Sequence, residues 1–227
     1  MPVLCDIKNV NMTELKDYSK SLEETLKDSN LQNISVGLAE TVLDSLVENG
    51  IVKDIPIIGS VVGIGKVALG VRERIFLKKI IYFISELKSI PAKKRKQIVD
   101  NINNSGRFRT KVGEKLLFII DRCEDYEKSQ LIARMFAAFI NQKISYGEFL
   151  RSASIIDRII LEDLIWFINQ SFDDFMFEEA GELINVGLVN FDIRDQQELD
   201  FKLPSKYELS ANTTDIGYKI KEILKEY

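Results

Sequence analysis

Apolar residues recur at spacings of three and four through most of this chain, and that period commits it to helices. Leu15, Tyr18, Leu22 and Leu26 mark one helix over Met12–Ser29. Ser35 caps a second, with Val36, Leu38, Ala39, Val42, Leu43, Leu46 and Val47 inside it and Gly50 closing it. Asp54 caps a third, with Pro56 in its first turn, which continues through Leu87 to the Ile90–Pro91 step. Further helices are expected over Ala92–Asn103, Arg109–Asp125, Lys128–Asn141 and Tyr146–Phe172. The last opens on a capping box, Ser145-Tyr146-Gly147-Glu148, and buries Leu150, Ala153, Ile156, Ile160, Leu164 and Phe167. After Phe175 the period lapses. A helix over Glu178–Asn185 turns at Gly187 into a strand, Leu188–Phe191. A second strand lies near Phe201–Leu203 or Tyr207–Leu209, and Ile216–Leu224 closes as a helix. The expected fold is mainly α: a multi-helix bundle with a small C-terminal α+β segment. Its expected divisions are an N-terminal helical segment (1–50), a helical core (51–172) and the C-terminal segment (173–227).

The residue inventory removes most catalytic chemistry. The 227 residues include no His and two Cys, Cys5 and Cys123. Ser-His-Asp and Cys-His nucleophiles, His acid–base catalysis and a four-thiolate zinc site are therefore excluded. Gly59-x-x-x-Gly63 lacks the Gly-Lys-Ser/Thr ending of a phosphate loop, and Gly65-Lys66 is followed by Val67. The Phe136–Leu150 stretch has the cadence of a calcium-binding hand without its run of oxygen ligands. Adjacent carboxylates such as Asp173 and Asp174 point apart on a helix and have no nucleophilic companion nearby. A non-enzymatic protein without cofactor or metal is expected. No secretory signal and no apolar stretch of about 20 residues is present, so a cytoplasmic resting protein is expected.

The net charge of −4 conceals a strong asymmetry. Residues 66–111 hold 13 Lys or Arg against 3 Asp or Glu. Such a block suggests either a surface for anionic partners or an internal patch facing the acidic remainder. Within it, Lys93-Lys94-Arg95-Lys96 reads as a solvated helix start or as an anion-binding patch. No aromatic residue interleaves with the four, so single-strand stacking is unsupported and nucleic acid is an unlikely partner.

Ile55-Pro-Ile-Ile-Gly-Ser-Val-Val-Gly-Ile-Gly65 carries no charge, and after Lys66 the apolar character resumes through Val71. On one continuous helix Gly59, Gly63 and Gly70 would fall within about 40° of each other, with Lys66 on the same stripe. Ile57, Ile58 and Val62 would cover other directions. Glycine costs about 1 kcal/mol in a helix interior, so such a stripe implies close helix approach, in a membrane or in a core. The segment from Asp54 to Lys66 resembles the glycine-zipper segments of membrane-damaging cell-death domains. The stretch through Glu124, including Arg74-Ile-Phe-Leu-Lys-Lys79, is similar to small bacterial and prophage-encoded proteins associated with phage defence. The resemblance implies an antiviral effector that meets a foreign (phage) protein trigger, forms a homo-oligomer and permeabilises the bacterial inner membrane. Ile57, Ile58, Gly59, Val62, Gly63, Lys66 and Gly70 would form its membrane-active helix. Arg72, Arg74, Lys78 and Lys79 would meet anionic lipid. A run of eleven uncharged residues spans only about 16 Å as helix, against a hydrocarbon core of about 30 Å.

Ala180-Gly-Glu-Leu-Ile-Asn-Val-Gly-Leu-Val189, with Tyr207-Glu-Leu-Ser210 and Ile216-Gly-Tyr218, resembles the end of a winged-helix module. Residues 211–215 are extra to the usual pattern. Phe172–Tyr227 holds 6 basic and 13 acidic residues, a balance that repels nucleic-acid phosphates. The alternative to the membrane effector is therefore a non-enzymatic adaptor or regulatory protein that binds a protein partner through this segment.

Overall fold

The computed structural model describes residues 12–29, 31, 55–63, 70–176, 179–195 and 207–225. The helix expected over 35–50, the strand alternative at 201–203, Cys5 and Lys66 lie outside these. The protein is mainly α-helical with a small C-terminal winged-helix-like segment. Its chain divides into two compact units, Met1–Lys143 and Ile144–Tyr227. The helices over 146–169 thus fall with the C-terminal segment, whereas the sequence had grouped them with a core over 51–172.

In the first unit the described helices are α1 (Met12–Lys27), α2 (Pro56–Val62), α3 (Val71–Glu86), α4 (Ala92–Asn104), α5 (Val112–Arg122) and α6 (Tyr126–Ile140). The expected single helix from Asp54 to Leu87 is corrected to α2 and α3. Gly63 ends α2 at φ 66°, ψ 154°, and Gly70 enters α3 at φ −66°, ψ 166°. Neither conformation is helical. Helix α3 packs along α6, and Phe83 meets Phe136 at 5.9 Å between ring centroids. Leu77, Ile80 and Ile84 from α3 and Leu131, Ile132 and Met135 from α6 are fully buried. Each such side chain contributes about 1.5–3 kcal/mol.

Several of these helices lack caps of their own. Ile55, Gly70, Pro91 and Lys111 stand at N-cap positions and offer no side-chain bond. Two helix starts are capped by neighbours instead. Thr25 of α1 accepts from Ile57 N (3.1 Å) at the start of α2. Asn103 of α4 accepts from Val112 N (2.9 Å), and Glu23 of α1 accepts from Gly113 N (3.2 Å), at the start of α5. At a helix C-terminus, Lys79 Nζ of α3 donates to Asp121 O (3.0 Å) in the last turn of α5.

Arg95 of α4 does this for two ends at once. It is 1% exposed, so it is neither the solvated helix start nor the anion patch expected of Lys93–Lys96. Its Nε donates to Leu26 O (2.8 Å) and its Nη2 to Asp28 O, at the end of α1. Its Nη1 donates to Leu87 O (3.3 Å) and Ile90 O, in the turn after α3. Burial lowers the Arg95 pKa, opposed by the Asp28 carboxylate.

The second unit holds α7 (Tyr146–Arg158), α8 (Leu161–Asn169), β1 (Asp174–Met176), α9 (Gly181–Val186), β2 (Val189–Asp195), β3 (Tyr207–Thr213) and α10 (Asp215–Leu224). The long helix expected over 146–172 is corrected to two, because Ile159 and Ile160 are extended (ψ 147° and 139°). The break buries Ile159 and lets α8 pack its Leu164 and Phe167 face against α10. The strands form an antiparallel sheet in the order β1-β3-β2, with Phe175 and Phe191 both opposite Ala211. Residues 211–213, which exceeded the winged-helix pattern, extend β3, and Thr214 caps α10 by accepting from Gly217 N (3.1 Å). Gly187, at φ 87°, ends α9, with Leu188 N donating to Leu183 O (2.8 Å).

The expected capping box is present at Ser145 and Glu148, and Glu148 also pairs with Lys219 of α10. The bonds from Lys219 and from Ser145 hold the Glu148 pKa down, from 4.5 to about 2.

Two predictions follow from these contacts. Arg95→Met strands carbonyls in the interior and should destabilise the first unit by about 3–5 kcal/mol in urea unfolding, with Lys96→Met near zero. The Glu148 pKa is depressed on folding, so its contribution is present above pH 4.5 and lost as pH falls toward about 2. Urea midpoints of Glu148→Gln should therefore fall less across that window than those of the parent.

Candidate functional site

Among the described residues nine large apolar side chains are exposed, and six are in the second unit: Ile160, Trp166, Phe172, Met176, Phe191 and Tyr218. By sequence that unit carries 8 basic and 17 acidic residues, and the first carries 23 and 18. The near-neutral total thus combines a unit at −9 with one at +5. Exposed aromatic residues on a strongly charged surface are a composition suited to recognition.

Their arrangement follows from α8 and the strand after it. Phe175 enters the core from β1, and its ring gathers Phe167 (5.8 Å), Trp166 (5.8 Å) and Phe172 (5.2 Å). Phe167 is buried, while Trp166 and Phe172 are 39% and 44% exposed. Lys221 of α10 also contacts this cluster. Its Nζ donates to Phe172 O (2.7 Å) and Asp173 Oδ1 (3.0 Å), and it lies 4.9 Å from the Phe167 ring. Trp166 is thereby fixed by its neighbours and presents part of its indole outward.

The outward part of Trp166 lines a cleft of about 380 Å³ together with Asp163 of α8 and Glu179, Gly181, Glu182, Leu183 and Asn185 at α9. Asp163 and Glu182 sit in the first turns of their helices, where the helix dipole favours a negative charge. None of Asp163, Glu179 and Glu182 makes an ion pair among the described residues. Nor do any three His, Cys, Asp or Glu side chains there come together as a metal site. Three unpaired carboxylates beside an indole face suit an organic cation, which gains both Coulomb and cation–π attraction. Trp166 was missed in the sequence. Its signal is there: it lies about 100° from Phe167 on the helix, off the buried face, three residues after Asp163.

The residues expected to act on a membrane are placed differently. Ile57 and Ile58 are completely buried and Val62 is 7% exposed, all packed in the first unit. Gly59 and Gly63 are half-buried, Gly70 is exposed at the entry to α3, and Lys66 lies outside the described residues. Since Gly63 and Gly70 are non-helical, Gly59, Gly63 and Gly70 share no continuous helical stripe. Of the expected lipid contacts, Arg72 and Arg74 are exposed. Lys78 instead lies 3.7 Å from the Tyr126 ring centroid, and Lys79 is 4% exposed and bonded to Asp121 O. Among the described residues no helix is long and apolar enough to cross a membrane. The expected glycine-zipper pore, the membrane disruption and the activated inner-membrane location are overturned by these findings.

Compared with family models, curated proteins and solved structures, the chain matches none.

Gly63 tests the correction directly. Its φ of 66° with ψ of 154° is a conformation open to glycine alone. Gly63→Ala should destabilise the first unit by about 1–3 kcal/mol in urea unfolding. A helical glycine at an exposed crossing face would show a gain instead.

Proposed function

We propose that the protein is a non-enzymatic adaptor or regulator that binds a protein partner through its C-terminal winged-helix-like unit. The observation that carries this reading is the Trp166 cleft, where a half-exposed indole and three unpaired carboxylates stand together. Aromatic anchors supply most of the energy at protein interfaces, and a charged rim selects the partner and speeds encounter. The partner segment this chemistry fits carries lysine or arginine beside apolar residues. Nucleic acid is disfavoured, because a unit at −9 repels phosphates.

Trp166 is the chain's one tryptophan, so its fluorescence reports on the cleft alone. A synthetic amphipathic peptide of lysine, arginine and leucine should change its emission saturably, and added salt should weaken the response. Its glutamate counterpart and duplex DNA should leave the emission unchanged. Replacing Asp163, Glu179 and Glu182 together by the matching amides should weaken the basic peptide about tenfold or more. An emission indifferent to the basic peptide, or equally responsive to DNA, would overturn the reading.

A further inference from the structure

Two of the three exposed apolar residues of the first unit lie together, apart from Phe118 of α5. Val71 and Ile75 are 74% and 48% exposed, one helical turn apart at the start of α3. On the helix wheel Arg72 and Arg74, both exposed, flank this ridge at about 100° and about 60° to either side of Val71. The start of α3 therefore presents an apolar ridge edged by guanidinium groups, and the surrounding 66–111 block is strongly basic.

This is the complement of the Trp166 cleft in both respects. The cleft offers Trp166 and Leu183 as apolar ground. It offers Asp163, Glu179 and Glu182 as unpaired anions. An arginine suits such a site better than a lysine, because its planar, weakly hydrated guanidinium stacks on indole and bonds carboxylates at its edge.

We propose that a second copy of this chain docks head to tail, seating the Val71–Ile75 ridge and Arg72 of its α3 on the Trp166 cleft of the first. The inference rests on the partner-binding reading of the C-terminal unit and names one occupant of its cleft. Two different surfaces meet, so the contact is heterologous. Each added copy leaves one cleft and one ridge free, and assembly proceeds to a ring or an open chain. A self-association of this kind also competes with any other basic partner for the same cleft.

Sedimentation velocity on the full chain tests it. The parent should form species larger than a dimer as concentration rises from low micromolar to several hundred micromolar, and high salt should suppress them. Arg72→Glu and Glu182→Arg each spoil one surface, so each variant alone should remain a monomer. Mixed in equal amounts they should associate, since the intact ridge of one meets the intact cleft of the other and the two reversed charges also attract each other. Both positions are exposed, and far-ultraviolet circular dichroism checks that the variants keep their fold. If Arg72→Glu perturbs α3, Ile75→Ser removes the same ridge without a charge change and should likewise give a monomer. A parent that stays monomeric at all concentrations overturns the proposal. So does a mixture that fails to associate, or single variants that assemble like the parent. A monomeric parent whose Trp166 still responds to the basic peptide overturns self-docking and leaves the partner-binding reading standing.

Discussion

One buried guanidinium holds the first unit together. Arg95 reaches from α4 to the carbonyls that end α1 and to those in the turn after α3, so three helices are fixed around a single planar group. A charge in the interior is costly when left alone. Here it meets the negative ends of helix dipoles, and main-chain oxygens with no partner inside their own helices accept its protons. Each side removes the other's penalty. The fork of donors also sets directions, which a lysine ammonium cannot do, so the group determines helix placement as well as stability.

The other junctions of that unit repeat the device. Thr25 caps α2 from α1, Glu23 and Asn103 cap α5 from α1 and α4, and Lys79 closes α5 from α3. A seven-residue helix such as α2 has no stability of its own, because nucleation costs more than so few internal bonds return. It exists because Ile57 and Ile58 are buried and its first turn is bonded to a neighbour. The second unit relies more on local signals. Ser145, Thr214 and Gly187 cap or end their own helices, and Lys219 and Lys221 then tie α10 back to Glu148 and Asp173.

That difference explains what was legible in the sequence. The capping box at Ser145, the turn at Gly187, the closing helix and α1 are local events, and each is visible in a few adjacent residues. Arg95 is not, because two of its four partners lie 69 and 67 positions earlier in the chain, and next to Lys93, Lys94 and Lys96 it looks like one more surface cation. Gly63 was read as part of a stripe because a helix wheel assumes a helix, and a positive φ leaves no mark in composition. Strand β1 is three residues long and exists only through its pairing with β3, far along the chain. The cleft was missed for a similar reason: Asp163 and Trp166 are near neighbours, but Glu179 and Glu182 join them only through the fold.

The charge asymmetry acquires a different meaning once the partners are known. The basic block is partly spent inside its own unit: Arg95 and Lys79 are buried on carbonyls, and Lys78 lies over Tyr126. The acidic trio in the second unit keeps its charge available. Asp163 and Glu182 belong in the first turns of α8 and α9 on stability grounds alone, since negative charge is favoured there by a few tenths to about 1 kcal/mol. The same position turns them toward the cleft, where no cation among the described residues answers them. Stability and recognition therefore ask for the same residues at the same places. The face can keep unpaired charge beside an exposed indole without costing the fold that carries it.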